Sequence, residues 1–175
     1  LKLRRATVAD ARALAVVGPA TFLETFANDH PGEALIAFTE THHSAKFYEA
    51  LLAEPTTSAW LVEHDAGAPI GYAVLVAASL PGSDPETDAE LKRIYLFSKW
   101  QGSGLGRALI EAAEAEAGRR GARRLVLSVY TKNEKAMRFY RTRGYETIGR
   151  ARFPGFSEEF SDFVMAKTLS QDAPE

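Results

Sequence analysis

One stretch, Glu90 to Gly121, read ELKRIYLFSKWQGSGLGRALIEAAEAEAGRRG, limits the possible folds more than any other part of the chain. It opens with a β-branched and apolar run (Leu91, Ile94, Tyr95, Leu96), turns through Gly102, Gly104 and Gly106, and continues from about Leu105 as an amphipathic helix. Without Cβ atoms such a turn exposes consecutive N–H groups, and the helix start adds its unpaired donors and the positive end of its dipole. The turn therefore suits a phosphate-bearing ligand. A plain strand-to-helix turn that needs glycine for its backbone has the same outline.

Spacing narrows the ligand. The dinucleotide pattern G-x-G-x-x-G would need glycine where Arg107 stands, and no strand ending in an acidic residue follows at the required distance. The triphosphate loop G-x-x-x-x-G-K followed by Ser or Thr does not occur. At 175 residues the chain reads as one domain over residues 1–169, with a frayed tail at 170–175. Its 21 Lys plus Arg balance 23 Asp plus Glu, which gives no electrostatic case for nucleic acid. The absence of cysteine excludes disulfides, thiolate metal sites and a cysteinyl acyl-enzyme. No apolar leader or spanning segment is visible, so the expectation is a cytoplasmic protein without membrane contact.

Taken in order, Lys2 to Arg5 is a first strand, and Thr7 with Asp10 three positions on caps a helix that runs to about Phe26 and is broken near Gly18-Pro19. A second helical segment spans about Glu33 to Ala53. Ala59 to His64 and Ile70 to Leu80 form a hairpin around Gly67. After the central stretch, whose helix buries Leu105, Ala108, Leu109 and Ala112, come a strand at Arg124 to Val129, a helix from Glu134 to about Arg143, and strands Tyr145 to Phe153 and Phe160 to Leu169. A meander followed by strand, helix and strand predicts an α/β fold with a mixed sheet and a crossover helix. The four histidines show no metal spacing and read as surface residues, so no metal site is expected. Arg119, Arg120, Arg123 and Arg124 complement a helix C-terminus.

The string Q-x-x-G-x-G at Gln101 to Gly106, placed after Ile94 to Leu96, resembles the central motif of the GNAT superfamily of acetyl-CoA-dependent N-acetyltransferases. A second motif, N-x-x-A-x-x-F-Y-x-x-x-G-Y from Asn133 through Tyr140 to Tyr145, resembles the family in spacing and order. Thr21 to Phe26 and Asp162 to Lys167 are loosely similar to the bacterial polyamine acetyltransferase branch. The resemblance implies a GNAT-like mixed, splayed sheet of about seven strands flanked by about four helices, with acetyl-CoA as co-substrate and a small-molecule amine as acceptor. A peptide N-terminus, a lysine acceptor, a non-turning acyl-CoA sensor and an interaction domain are the alternatives, and a homodimer is left open.

Residue by residue, the resemblance implies that Gly102, Ser103, Gly104, Leu105, Gly106 and Arg107 hold the pyrophosphate, with Gln101 a further cofactor-binding residue of the motif. Ile94, Tyr95 and Leu96 would pair their backbone with the pantetheine arm. Asn133 would bond the same arm, although it serves equally well as a helix cap. Tyr140 is the candidate general acid: a thiol ionises near 8.5 and tyrosine near 10, so a neutral phenol can protonate the leaving thiolate. Its alternative is a core aromatic. Glu90 lies where one branch of the family carries its general base, and its alternative is a solvated carboxylate on a strand. Ser128 stands where the ribosomal-protein-acetylating branch carries glutamate, which speaks against that activity. Carboxylates at Glu24, Asp29, Glu33, Glu40, Glu49, Glu158, Glu159 and Asp162 would favour a cationic acceptor, and a merely solvated helix face shows the same charges.

Overall fold

The computed structural model describes residues 1–152, 156–157 and 160–170. The expected strand end at Phe153, the acids Glu158 and Glu159, and the tail from Gln171 lie outside the described residues. Seven strands, β1 (Lys2–Arg5), β2 (Ser58–Glu63), β3 (Pro69–Ala77), β4 (Asp88–Leu96), β5 (Arg124–Tyr130), β6 (Glu146–Arg152) and β7 (Ser161–Thr168), form a sheet in the order β1-β2-β3-β4-β5-β7-β6. The helices among the described residues are α1 (Ala11–Phe26), α2 (Gly32–His42), α3 (Ala45–Ala53), α4 (Leu105–Arg119) and α5 (Glu134–Arg141). This is the mixed α/β sheet the sequence predicts, with one helix more than expected.

The extra helix arises because Glu33 to Ala53 is two helices. His43 leaves helical geometry at φ −133°, and the Ser44 hydroxyl accepts from the Phe47 N–H at 3.1 Å, which starts α3 afresh. Pro19, by contrast, does not split α1. Its ring fixes a φ close to helical and removes one donor, and the loss is offset by a buried face that includes Leu14, Val17, Phe22 and Phe26. Along α4 the buried residues are Leu109, Ile110, Ala113, Glu116 and Ala117, so the stripe is rotated from the expected Leu105, Ala108, Leu109 and Ala112. An alanine-rich helix has no sharp edge to its apolar face; Ile110, the larger side chain, turns inward.

The chain divides into two compact units, Leu1–Leu75 with Arg93–Ala113, and Val76–Lys92 with Glu114–Glu175. In the first, β1, β2 and β3 pair antiparallel. Arg4 closes the edge by meeting both Asp10 and Glu63 at 2.7 Å. In the second, β5 pairs antiparallel with β7, and β7 with β6. The parallel register of β4 with β5 runs from Asp88 to Glu90 against Arg124 to Val126. β4 continues to Leu96 and β5 to Tyr130, with no further register between them among the described residues. Arg124 locks the paired end by a two-point contact with the buried Asp88 carboxylate, at 3.0 and 2.6 Å. Arg119 and Arg120 both bond Glu116, so this part of the basic cluster is internally neutralised.

Candidate active site

The predicted site residues fall into two sets, one in each unit. In the first unit β4 ends at Leu96, whose carbonyl accepts from the Gln101 side chain at 3.0 Å. That bond ties the turn to the strand. Gly102 and Gly104 have φ of 83° and 87°, a region where a Cβ is strained, and alternate with residues of ordinary φ. The N–H of Ser103 bends back to the Trp100 carbonyl, and the first bond of α4 runs from Ala108 to Gly104. Among the described residues no acceptor takes the N–H groups of Gly102, Gly104, Leu105, Gly106 or Arg107. Four consecutive unspent donors at a helix start, from Gly104 to Arg107, suit an anion. The Arg107 Nε meets Glu111 at 2.6 Å on the exposed face of α4, while its main-chain N–H points into the helix start. Ile94 and Tyr95 are half-buried and Leu96 is buried.

In the second unit Glu90 is 4 % exposed and one of its oxygens, Oε2, accepts from the Ser79 N–H at 2.9 Å and the Ser79 hydroxyl at 3.0 Å. The solvated-carboxylate alternative does not hold. Oε1 has no protein partner among the described residues and is not sealed from solvent, which leaves it able to accept a proton through water. Tyr140 lies on α5, 7 % exposed, with ring contacts to Phe139 and Tyr145 at 5.4 and 5.7 Å. Tyr145 is fixed in turn by its hydroxyl, which donates to Glu114 at 2.8 Å, while Lys167 meets the other oxygen of that carboxylate at 2.8 Å. Burial, and then the Glu114 charge, push the Tyr145 phenol well above its ordinary range. The Asn133 Oδ1 accepts from the Ala136 N–H at 3.1 Å, so it is a helix cap as the sequence allowed. Its amide nitrogen has no protein partner among the described residues.

One group in the first unit was not anticipated. His43, expected on the surface, is 2 % exposed, and its Nδ1 lies 2.9 Å from the Tyr48 hydroxyl. Burial, reinforced by the Arg93 and His42 charges, lowers its pKa to about 3, so it is neutral at pH 7. The same hydroxyl accepts from Arg93 Nη1 at 2.8 Å and reaches the Tyr72 hydroxyl at 3.4 Å. Burial raises the pKa of both Tyr48 and Tyr72. Gly18 of α1 is required beside them: a Cβ there would stand 2.6 Å from His43 Nδ1 and collide with the Tyr48 oxygen. The one sequence signal for this cluster was an arginine inside an apolar strand.

A mixed sheet whose central strand runs through a tied glycine turn into a helix, with unspent N–H groups at that turn among the described residues, defines an α/β protein with main-chain donors gathered at a helix start. The sequence pattern of the Acetyltransferase (GNAT) family matches residues 21–145. An uncharacterized N-acetyltransferase of Mycobacterium tuberculosis is 30% identical over 160 residues, covering 91% of this chain and 98% of that one. One from Lactobacillus delbrueckii subsp. lactis is 30% identical over 151 residues, covering 85% and 86%. Among solved structures, the PaiA N-acetyltransferase from Thermoplasma acidophilum in complex with coenzyme A superposes with a TM-score of 0.78 at 18% identity, over 97% of this chain and 100% of that one. The chain belongs to the GNAT acetyltransferase family and is an N-acetyltransferase. Among the described residues no helix is long and apolar enough to cross a membrane.

Proposed function

We propose that this protein transfers the acetyl group of acetyl-CoA directly to a primary amine within a ternary complex. The observation that carries the reading is the set of N–H groups of Gly102, Gly104, Leu105, Gly106 and Arg107 that no acceptor among the described residues uses. A pyrophosphate would take them as charge-assisted hydrogen bonds. The β4 edge at Ile94, Tyr95 and Leu96, beyond the stretch paired with β5, offers main-chain partners to the amides of a pantetheine arm. The Asn133 amide nitrogen is a further donor to that arm.

In the reaction the amine nitrogen forms a bond to the thioester carbonyl carbon and the carbon–sulfur bond breaks. An aliphatic amine with pKa near 10 is neutral in about one molecule per thousand at pH 7, so shedding its proton costs about 4 kcal/mol. Glu90 Oε1 accepts that proton through water while Ser79 steadies Oε2. The Tyr140 hydroxyl gives its proton to the departing thiolate, and the phenolate is restored from solvent. With no cysteine in the chain, a cysteinyl acyl-enzyme has no place in the scheme.

A polyamine-type acceptor would draw on the exposed Glu33, Glu40 and Glu49. Glu24 already accepts from the Ser98 N–H and hydroxyl at 2.9 and 2.8 Å, Asp29 meets His30 at 2.7 Å, and Asp162 is buried. The test is acetyl-CoA-dependent thiol release over a panel of amines, polyamines included, repeated with Glu90→Gln. Turnover that the variant cuts by roughly ten- to a thousandfold, most at low pH where free amine is scarce, is the expected result. No thiol release with any amine, despite bound acetyl-CoA, would sink the reading in favour of a sensor.

A further inference from the structure

Arg93 on β4 is 7 % exposed. Among the described residues its one side-chain hydrogen bond is the Nη1 contact to the Tyr48 hydroxyl, and its guanidinium stacks 5.0 and 5.3 Å from the Phe47 and Tyr48 rings. No carboxylate lies within ion-pair distance of it among the described residues. A guanidinium has five N–H donors and keeps its charge at every accessible pH. Burying it without an anion is unfavourable, and cation–π contacts offset only a part of that. Its neighbours supply no compensation: His43, Tyr48 and Tyr72 are neutral at pH 7, held so by burial. The cluster therefore carries one uncompensated positive charge. In it, Nε and Nη2 are not sealed, since the Thr39 hydroxyl is the one fully enclosed side-chain polar atom without a partner among the described residues.

We propose that Arg93 receives a carboxylate of the acceptor, so that the amine acetylated here belongs to an amino carboxylate. The inference rests on the acetyl-transfer reading above. In that reading the anionic end of acetyl-CoA lies at the glycine turn, and its pantetheine arm and thioester are neutral. An anion at Arg93 then comes from the other reactant. Arg93 and Tyr95 share one face of β4, and Tyr95 stacks on Tyr72 at 5.9 Å. The Phe47 and Tyr48 rings border the guanidinium, and this half-apolar border strengthens a carboxylate contact and favours two-point pairing.

The experiment measures kcat/KM at saturating acetyl-CoA for L-amino acids, their carboxamides and the corresponding decarboxylated amines. For at least one set the acid is preferred over its amide by roughly ten- to a thousandfold, chiefly through acceptor KM, as expected when a buried charge loses its partner. In Arg93→Gln the acid-to-amide ratio falls toward one, and Arg93→Lys, which keeps the charge but not the planar fork, retains part of it. Calorimetry confirms that acetyl-CoA still binds. Amides, simple amines or polyamines preferred throughout would overturn the proposal. So would a folded Arg93→Gln in which acid and amide rates fall together with their ratio intact, because that is what loss of a prop between β4 and α3 produces. If Arg93→Gln does not fold, the wild-type ratio and Arg93→Lys decide. Should no amine turn over, the acetyl-transfer reading fails, and calorimetric binding of acid against amide to the CoA-loaded protein still decides the charge: equal affinities refute it.

Discussion

Replacing Gly104 by valine separates the two things this glycine does. With φ of 87° and no atom within 4 Å of a built Cβ, the residue has room for a side chain and lacks only the backbone tolerance. A valine that kept this φ would store about 1–2 kcal/mol of strain. For a chain of this size that lowers Tm by about 2–8 °C. One that relaxed to negative φ would escape the strain and swing the N–H groups of the turn out of line. Because Gly102, Ser103 and Gly104 are exposed and no side chain packs on Gly104, relaxation is the expected outcome. Each N–H bond to phosphate is worth about 1.5–3 kcal/mol, so losing one weakens acetyl-CoA by roughly ten- to a hundredfold, and losing two by a thousandfold or more. Calorimetry gives the affinity and scanning calorimetry the fold. A folded Gly104→Val whose Kd stays within twofold of wild type would refute the assignment of pyrophosphate to this turn, whatever its Tm.

Tyr140→Phe should lower kcat by roughly ten- to a thousandfold with acetyl-CoA affinity nearly intact, since the lost proton donation belongs to the transition state; equal turnover at saturating substrate removes Tyr140 from the chemistry. Between pH 6.5 and about 3 the unfolded chain protonates its histidine while native His43 stays neutral, so stability falls with falling pH across that window by up to about 1.4 kcal/mol per pH unit. Asp10, lowered to about 2 by its bond to Arg4, adds its loss only below its ordinary 3.8. Urea midpoints from pH 7 to pH 4 for wild type and His43→Gln test this, and parallel slopes would exclude a buried neutral His43. Gly18→Ala should destabilise by about 1–3 kcal/mol, although alanine is the better helix former by about 1 kcal/mol, because the new Cβ overlaps Tyr48 and His43. A higher Tm would show that the cluster is looser than its distances indicate.

The class of fold, the place of the glycine turn and the identity of Tyr140, Glu90 and Asn133 as candidates were legible in the sequence because each depends on local order: alternation in strands, glycine at positive φ, a cap three residues before an amide, two motifs in a fixed sequence. Local order also explains the misreadings. Apolar spacing alone could not show that Ser44 caps a new helix inside Glu33 to Ala53, nor that Pro19 is carried through α1 by the packing of its buried face. The phase of α4 was undecided among alanines until Ile110 was buried. For Glu90 the sequence offered a base or a solvated carboxylate. What removed the second was the contact with Ser79, eleven residues upstream on a neighbouring segment, which buries the side chain and spends one oxygen. The cluster of His43, Tyr48, Tyr72 and Arg93 lies furthest from anything a motif can encode. Its members come from the end of α2, from α3, from β3 and from β4, and each is unremarkable in its own stretch of chain. Burial made His43 neutral and left the Arg93 charge without an anion. Burial is a sum over distant neighbours, so only the tertiary structure could decide it.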